Sequence, residues 1–423
     1  MPRPPRRHPP RSGVLVPAGP QGSGGSLLSD VRGGLDLAVQ GTQHVTSLVQ
    51  AMHGTILQFA PPLRAGSSAR LPADHPATSG ITGLVYRSIQ QGTRLVGDGL
   101  QGLLKPWDAT YGHLLPPSQG PRRDAVVAAL NGVLGDHLLA SGNPLAIPFA
   151  LRQGGRAIDP QALAGDASPH LLLMVHGLCM SDTGWRRNGH DHGQVLGQAL
   201  GHSVVYAFYN SGLHISDNGR HLARALDELL RAWPVPVQSL AIVGHSMGGL
   251  VARSACAVAD SEGLAWRNSL RKLVFLGTPH HGAPLERAGN WLHRVMDLSP
   301  YVAPFTRLSR LRSLGITDLR HGHVQEADWR GPSRFDHRDH RQPLPLPAGV
   351  ECFALASTLG DAQHARSLLG DGLVPVESAL GHHRKKALDL GLPADHCWVG
   401  RGIGHLDLLC DPLVYRRLLA CLG

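Results

Sequence analysis

Hydrophobic positions divide this chain into two kinds of pattern. From residue 170 onward, short apolar runs alternate with longer amphipathic stretches. Leu171-Leu172-Leu173-Met174-Val175 and Ser239-Leu240-Ala241-Ile242-Val243 do not alternate polar with apolar. Runs of that kind suit strands buried on both faces, as in the middle of a parallel sheet. Two more strands are predicted at Val350–Ser357 and Cys397–Gly400, and a closing helix from about Pro412 to Leu422. Before residue 166 the period is helical. Leu28, Val31, Leu35, Ala38, Thr42, Val45, Val49, Met52 and Ile56 recur by three and four. Ile81, Leu84, Val85, Ile89, Leu95, Val96, Leu100 and Leu103 predict a second helix, and residues 124–139 a third. The pairs Pro61-Pro62 and Pro116-Pro117 separate them. Such stripes are expected to bury themselves as a bundle against the rest of the chain. The sharper reading is that they contact a lipid surface.

The run ending at Val243 leads into Gly244-His245-Ser246-Met247-Gly248, and Gly249 to Ala255 then reads as a helix. Strand, G-x-S-x-G and helix in that order resemble the nucleophile elbow of the α/β-hydrolases. A serine that must stand clear of its backbone needs a strained turn. The close strand–helix packing around it needs the small residues Gly244 and Gly248. The following helix points its N-terminus at the serine, where negative charge would develop.

The Leu171–Val175 run ends in His176-Gly177-Leu178-Cys179. Acyl transfer needs backbone N–H donors aimed at an oxyanion. Met247, after the nucleophile, and Leu178, in this loop, are the candidates. Gly177 lets the backbone approach a substrate. His176 is expected to hydrogen-bond the loop, and Cys179 to pack. After the Val350–Ser357 run, Asp371 sits between glycines in Gly370-Asp371-Gly372-Leu373-Val374-Pro375, with Asp361 as its rival. The chain has 26 histidines, so position has to choose the base. His405 follows the last strand in a loop lightened by Gly402 and Gly404, completing the order Ser246, Asp371, His405.

Together with Gly277-Thr278-Pro279-His280-His281-Gly282, these segments resemble bacterial lipases and esterases of the α/β-hydrolase superfamily. The likeness is to the GPI-inositol-deacylase-like (PGAP1-like) branch and covers about residues 166–423. It implies a mostly parallel sheet with helices on both faces and a lid inserted at about 285–347. It also implies Ser246 as nucleophile, His405 as base, Asp371 as acid, and Leu178 and Met247 as oxyanion donors. Some such lipases hold calcium near the catalytic histidine. Asp407 lacks a second carboxylate partner, so no metal and no cofactor is expected; Asp407 is expected to open the last helix.

Residues 1–26 read as a basic arm rich in proline and glycine, without the apolar core of a signal peptide, and 27–165 as the helical N-terminal region. A cytoplasmic location follows as the expectation, with peripheral contact to a lipid surface through those helices. No apolar run is long enough to span a membrane. The net charge of +9 is nearly all arginine and scattered, with no nucleic-acid motif. The function read from this chain is a serine hydrolase of carboxylic esters, with an ester or acyl lipid as substrate. The alternatives are an acyltransferase using the same triad, and a non-catalytic scaffold binding through the N-terminal helices.

Overall fold

A computed structural model describes residues 30, 32–37, 120–159, 167–283, 313–331, 339–360 and 370–423. Most of the first two predicted helices, residues 285–312 and 332–338 of the expected lid, and Asp361 lie outside the described residues. Eight strands form one sheet in the order β2-β1-β4-β3-β5-β6-β7-β8. They are β1 (Ala150–Gln153), β2 (Arg156–Ala157), β3 (His170–Val175), β4 (Ser203–Phe208), β5 (Ser239–His245), β6 (Leu270–Leu276), β7 (Glu351–Thr358) and β8 (Cys397–Arg401). The six from β4 to β8 run parallel, and β1 joins the edge antiparallel, Leu151 opposite Ala207. The sheet therefore starts upstream of residue 166, within the stretch expected to be helical.

The helices are α1 (Pro121–Ala140), α2 (His192–Leu200), α3 (Ile215–Ala232), α4 (Met247–Glu262), α5 (Leu314–Asp318), α6 (Glu326–Trp329), α7 (Val376–Ala379) and α8 (Pro412–Leu422). Strand side chains alternate between faces. Leu171, Leu173, Val175, Ile242, Leu273 and Phe275 face a core shared with α1, α3 and α4. Leu172, Met174, Val243, Val274, Leu276 and Leu355 face a second core with Trp185, Leu196 of α2, and Val414 and Leu418 of α8. Burial on both faces is why these strands are continuously apolar.

Helix ends follow local chemistry. Asp191 caps α2 by accepting the Gln194 N–H, and Gly201 closes it in the left-handed conformation. Asp411 caps α8 through the Leu413 N–H. Asp407 does not open that helix, as the sequence reading had it. A short 3-10 turn, Asp407–Leu409, intervenes, and the Asp407 carboxylate folds back onto the Gly404 N–H. Among the described residues, no helix is long and apolar enough to cross a membrane.

Residues 127–135 of α1 are all buried, although they precede the expected domain boundary. Asn131 ties this helix to the chain entering β1. Its side chain donates to the Leu145 carbonyl and accepts the Ile147 N–H. A chain starting at residue 166 would lose α1, β1 and β2 and bare the apolar face beneath Leu173 and Val205. Such a chain is expected to aggregate or to melt without a cooperative transition, as size-exclusion chromatography and circular dichroism against the full chain would reveal. A soluble, cooperatively melting 166–423 fragment would refute that expectation.

Candidate active site

Ser246 stands at the end of β5, between strand and α4, with φ 53° and ψ −125°. That region is strained for a residue with a Cβ, and strain of this kind persists only where surrounding packing enforces it. The enforcing contacts are close approaches to glycine. A Cβ on Gly244 would lie 2.5 Å from the Gly249 Cα, and one on Gly248 would lie 2.2 Å from the Val175 carbonyl oxygen. A Cβ on Gly249 would lie 2.0 Å from the Thr278 hydroxyl. The Ser246 N–H is held by the Leu276 carbonyl of β6 at 2.9 Å. The elbow is thus clamped between β3 and β6.

His405 and Asp371 arrive from the loops that follow β8 and β7. The His405 Nδ1 lies 2.7 Å from an Asp371 carboxylate oxygen, and both side chains are buried. A backbone bond from the His405 N–H to the Asp371 carbonyl, at 3.1 Å, fastens the two loops to each other. The second Asp371 oxygen accepts the Leu373 and Val374 N–H groups at 2.9 and 2.8 Å. The carboxylate is thus held at both oxygens.

A cavity opens over Ser246. It is lined by Gly177, Leu178, Met180, His245, Ser246, Pro279, Ala283, Leu319, Leu373, Val374 and His405. Its lining side chains are apolar except for His245, Ser246 and His405. Gly177 brings the backbone against the serine, since a Cβ there would sit 3.1 Å from the Ser246 Cβ. Among the described residues, the N–H groups of Leu178 and Met247 donate to no protein acceptor. Two free donors beside a serine suit a developing oxyanion. Met180 and Leu319 line this cavity without having been picked out from the sequence. They lie on separate segments that only folding brings together.

The two histidines flanking the serine are structural. His176 donates from Nδ1 to the Gly177 carbonyl at 2.8 Å and stacks on Tyr209, ring centroids 4.3 Å apart. Tyr209 in turn donates to the His176 carbonyl at 2.6 Å. Burial pulls the His176 pKa down from 6.5 to about 4. His245 donates from Nε2 to the His405 carbonyl at 3.2 Å. Burial first, then the adjacent His405 imidazole, holds its pKa well below the usual 6.5. A neutral His245 can support the loop carrying His405 without placing a charge beside it.

A second buried group lies behind the Gly277–Gly282 loop. Arg253 of α4 donates to the His280 Nδ1 at 3.3 Å and to the Leu344 carbonyl at 2.7 Å. Burial lowers its pKa from 12.5 to about 10. Arg341 donates to the His280 carbonyl and is paired with Asp339. These contacts brace the loop that supplies Thr278 and Pro279.

Residues 205–342 match the family model described as a PGAP1-like alpha/beta domain. The chain has the α/β-hydrolase fold. Among solved structures it is similar to the mature lipase BlEst2 of Bacillus licheniformis, at 18% identity and a TM-score of 0.40, covering 64% of this chain and 98% of that one. It is similar to a lipase-esterase related protein of Clostridium acetobutylicum, at 12% identity and TM-score 0.34, over 61% and 97% of the two chains. It is also similar to phospholipase PlaB of Legionella pneumophila, at 19% identity and TM-score 0.35, over 50% and 45%. No curated protein matches the sequence.

Buried neutral histidines give this hydrolase fold a definite response to acid. His176, His192 and His281 are each lowered from 6.5 to about 4 by burial, and His245 and His280 lie well below 6.5. Unfolded imidazoles bind protons below about pH 6.5, whereas the folded ones stay neutral down to about pH 4. Within that window the unfolded state binds more protons, so stability drops as pH falls. Melting temperatures are expected to decline steadily from pH 6.5 to 4, and less steeply in His176→Gln. A flat profile across that range would contradict the assignment.

Proposed function

We propose that this protein is a serine hydrolase of carboxylic esters with an apolar acyl group. The observation that carries the reading is the strained Ser246 facing an apolar cavity whose other polar edge is His405, itself bonded to Asp371. In this reading Ser246 is the nucleophile, His405 the base and Asp371 the acid.

The Ser246 Oγ attacks the ester carbonyl carbon while the His405 Nε2 takes its proton. Electrons of the carbonyl π bond move to oxygen, and the Leu178 and Met247 N–H groups receive that oxyanion. Collapse of the tetrahedral species breaks the bond to the alcohol oxygen, which takes the proton from His405. Water then attacks the acyl carbon, giving a proton to His405; the bond between the acyl carbon and the Ser246 Oγ breaks, the Oγ takes that proton back from His405, and the acid leaves. Asp371 keeps the Nδ1–H of His405 pointed at itself, so Nε2 is left free to accept. The apolar cavity wall favours an acyl chain over a small polar acid, and lipid esters fit that chemistry.

The test is hydrolysis of p-nitrophenyl esters from acetate to palmitate. Ser246→Ala is expected to lower kcat by at least ~10⁴-fold, and Asp371→Asn by about 10⁴-fold, because the amide no longer enforces the working tautomer of the histidine. Butyrate or longer chains are expected to exceed acetate in kcat/KM. Hydrolysis by Ser246→Ala at the wild-type rate would refute the reading.

A further inference from the structure

Two glycines lie inside α1, at positions 132 and 135, one turn apart and therefore on one face. Glycine weakens a helix interior, so two of them in a fully buried segment need a packing reason. The structure supplies one for each. A Cβ on Gly132 would lie 2.2 Å from the Cys179 sulfur and 2.9 Å from both the Cys179 Cα and N. A Cβ on Gly135 would lie 1.8 Å from the Asn210 side-chain oxygen. The Asn210 side chain donates to the Gly135 carbonyl at 2.9 Å. α1 thus lies directly against the loop after β3 and the loop after β4.

The loop touched at Cys179 is the one that presents Leu178 to the cavity. Its backbone is unusual there. Cys179 has φ 59°, a left-handed conformation that a side chain disfavours. Its N–H is held by the Ser211 hydroxyl at 3.0 Å, from the loop after β4. The Ser313 hydroxyl donates to the Gly132 carbonyl at 2.7 Å, so the lid-side segment closes on the same point of the helix. Cys179 is therefore pressed from one side by α1 and tethered on the other by Ser211. A peptide held in an unfavourable φ by two flanking contacts moves when either one moves.

We infer that α1 is part of the catalytic scaffold, with Gly132 a positioning residue that sets the path of the 177–180 loop and so the aim of the Leu178 N–H. The inference rests on the reading of Ser246 as nucleophile and of Leu178 as oxyanion donor. A methyl group at position 132 would push the Cys179 peptide toward the cavity. Leu178, one residue earlier, would turn its N–H away from the oxyanion. That loss falls on the transition state and spares substrate binding.

The test compares full-length Gly132→Ala with Val133→Ala, whose side chain is buried in the core on the same helix. Gly132→Ala is expected to lower kcat by roughly 10²-fold, since a displacement of about 1 Å costs that much, with KM changed by less than about twofold. Val133→Ala is expected to lower the melting temperature and leave kcat within about twofold of wild type, as a core truncation would. Adding Cys179→Gly to Gly132→Ala removes the sulfur and accepts φ 59°; it is expected to restore kcat by about tenfold, a coupling typical of residues in contact. This double variant also serves if Gly132→Ala alone does not fold. Wild-type kcat in Gly132→Ala, or equal kcat losses in Gly132→Ala and Val133→Ala, would overturn the inference while leaving the serine reading intact. Ester hydrolysis that survives Ser246→Ala would instead overturn the serine reading.

Discussion

The rest of this structure depends on how closely α4 approaches β3 and β6 around Ser246. Gly248 sits against the Val175 and His176 carbonyls, and Gly249 against Thr278. No side chain fits in those gaps, so the helix N-terminus is drawn in against the C-terminal end of β5, in the middle of the sheet. Ser246 is then forced to φ 53° and lifted clear of the backbone. The cost is local strain, on the order of 1–3 kcal/mol for such a conformation. Two large apolar cores, one on each face of the sheet, hold the surrounding strands in place and offset it.

Given that fixed point, the other loops meet it through backbone bonds and neutral imidazoles. His245, the last residue of β5, lies two residues beyond its apolar run and donates to the His405 carbonyl. His176 closes its own loop and is stacked on Tyr209. His280 receives Arg253 and so joins α4 to the Gly277–Gly282 loop. A buried imidazole supplies one donor and one acceptor at no charge, provided it stays neutral. Burial keeps these three neutral. A chain with 26 histidines can build polar connections through its interior without burying 26 charges.

The centre of the fold was legible in the sequence because its signals are local. Apolar runs suited to burial on both faces predicted β3 and β5, and the strands read at 350–357 and 397–400 match β7 and β8, each to within about two residues at either end. G-x-S-x-G between strand and helix marked the elbow, and Asp371 and His405 stand together in space as their order along the chain predicted. What was not legible is non-local. β1 and β2 are too short, four and two residues, to announce themselves; β2 pairs only with β1, and β1 pairs with β4 some fifty residues on. Met180, Ala283 and Leu319 meet only in the folded cavity wall. Nothing local to α1 explains Gly132 and Gly135; the Cys179 and Asn210 atoms they pack against lie far along the chain. The helical stripe before residue 120 is described only at residues 30 and 32–37, where Asn143 donates to the Gly33 carbonyl.

The loop carrying Asp371 shows how chemistry and specificity are linked in this site. Leu373 and Val374 give their N–H groups to one carboxylate oxygen, while the same two residues line the cavity. The other oxygen holds His405. A wider or narrower cavity at this wall cannot be made by sliding the backbone, because any slide would stretch the two N–H bonds that orient Asp371 and, through it, the histidine. Side-chain size at positions 373 and 374 is free to vary, while the backbone path there is not. On the proposed reading, acyl preference changes through side-chain substitution at this wall or at the other lining residues, Met180, Ala283 and Leu319. Asp371 is held by the pocket's own backbone, so its position and the path of this cavity wall are set together.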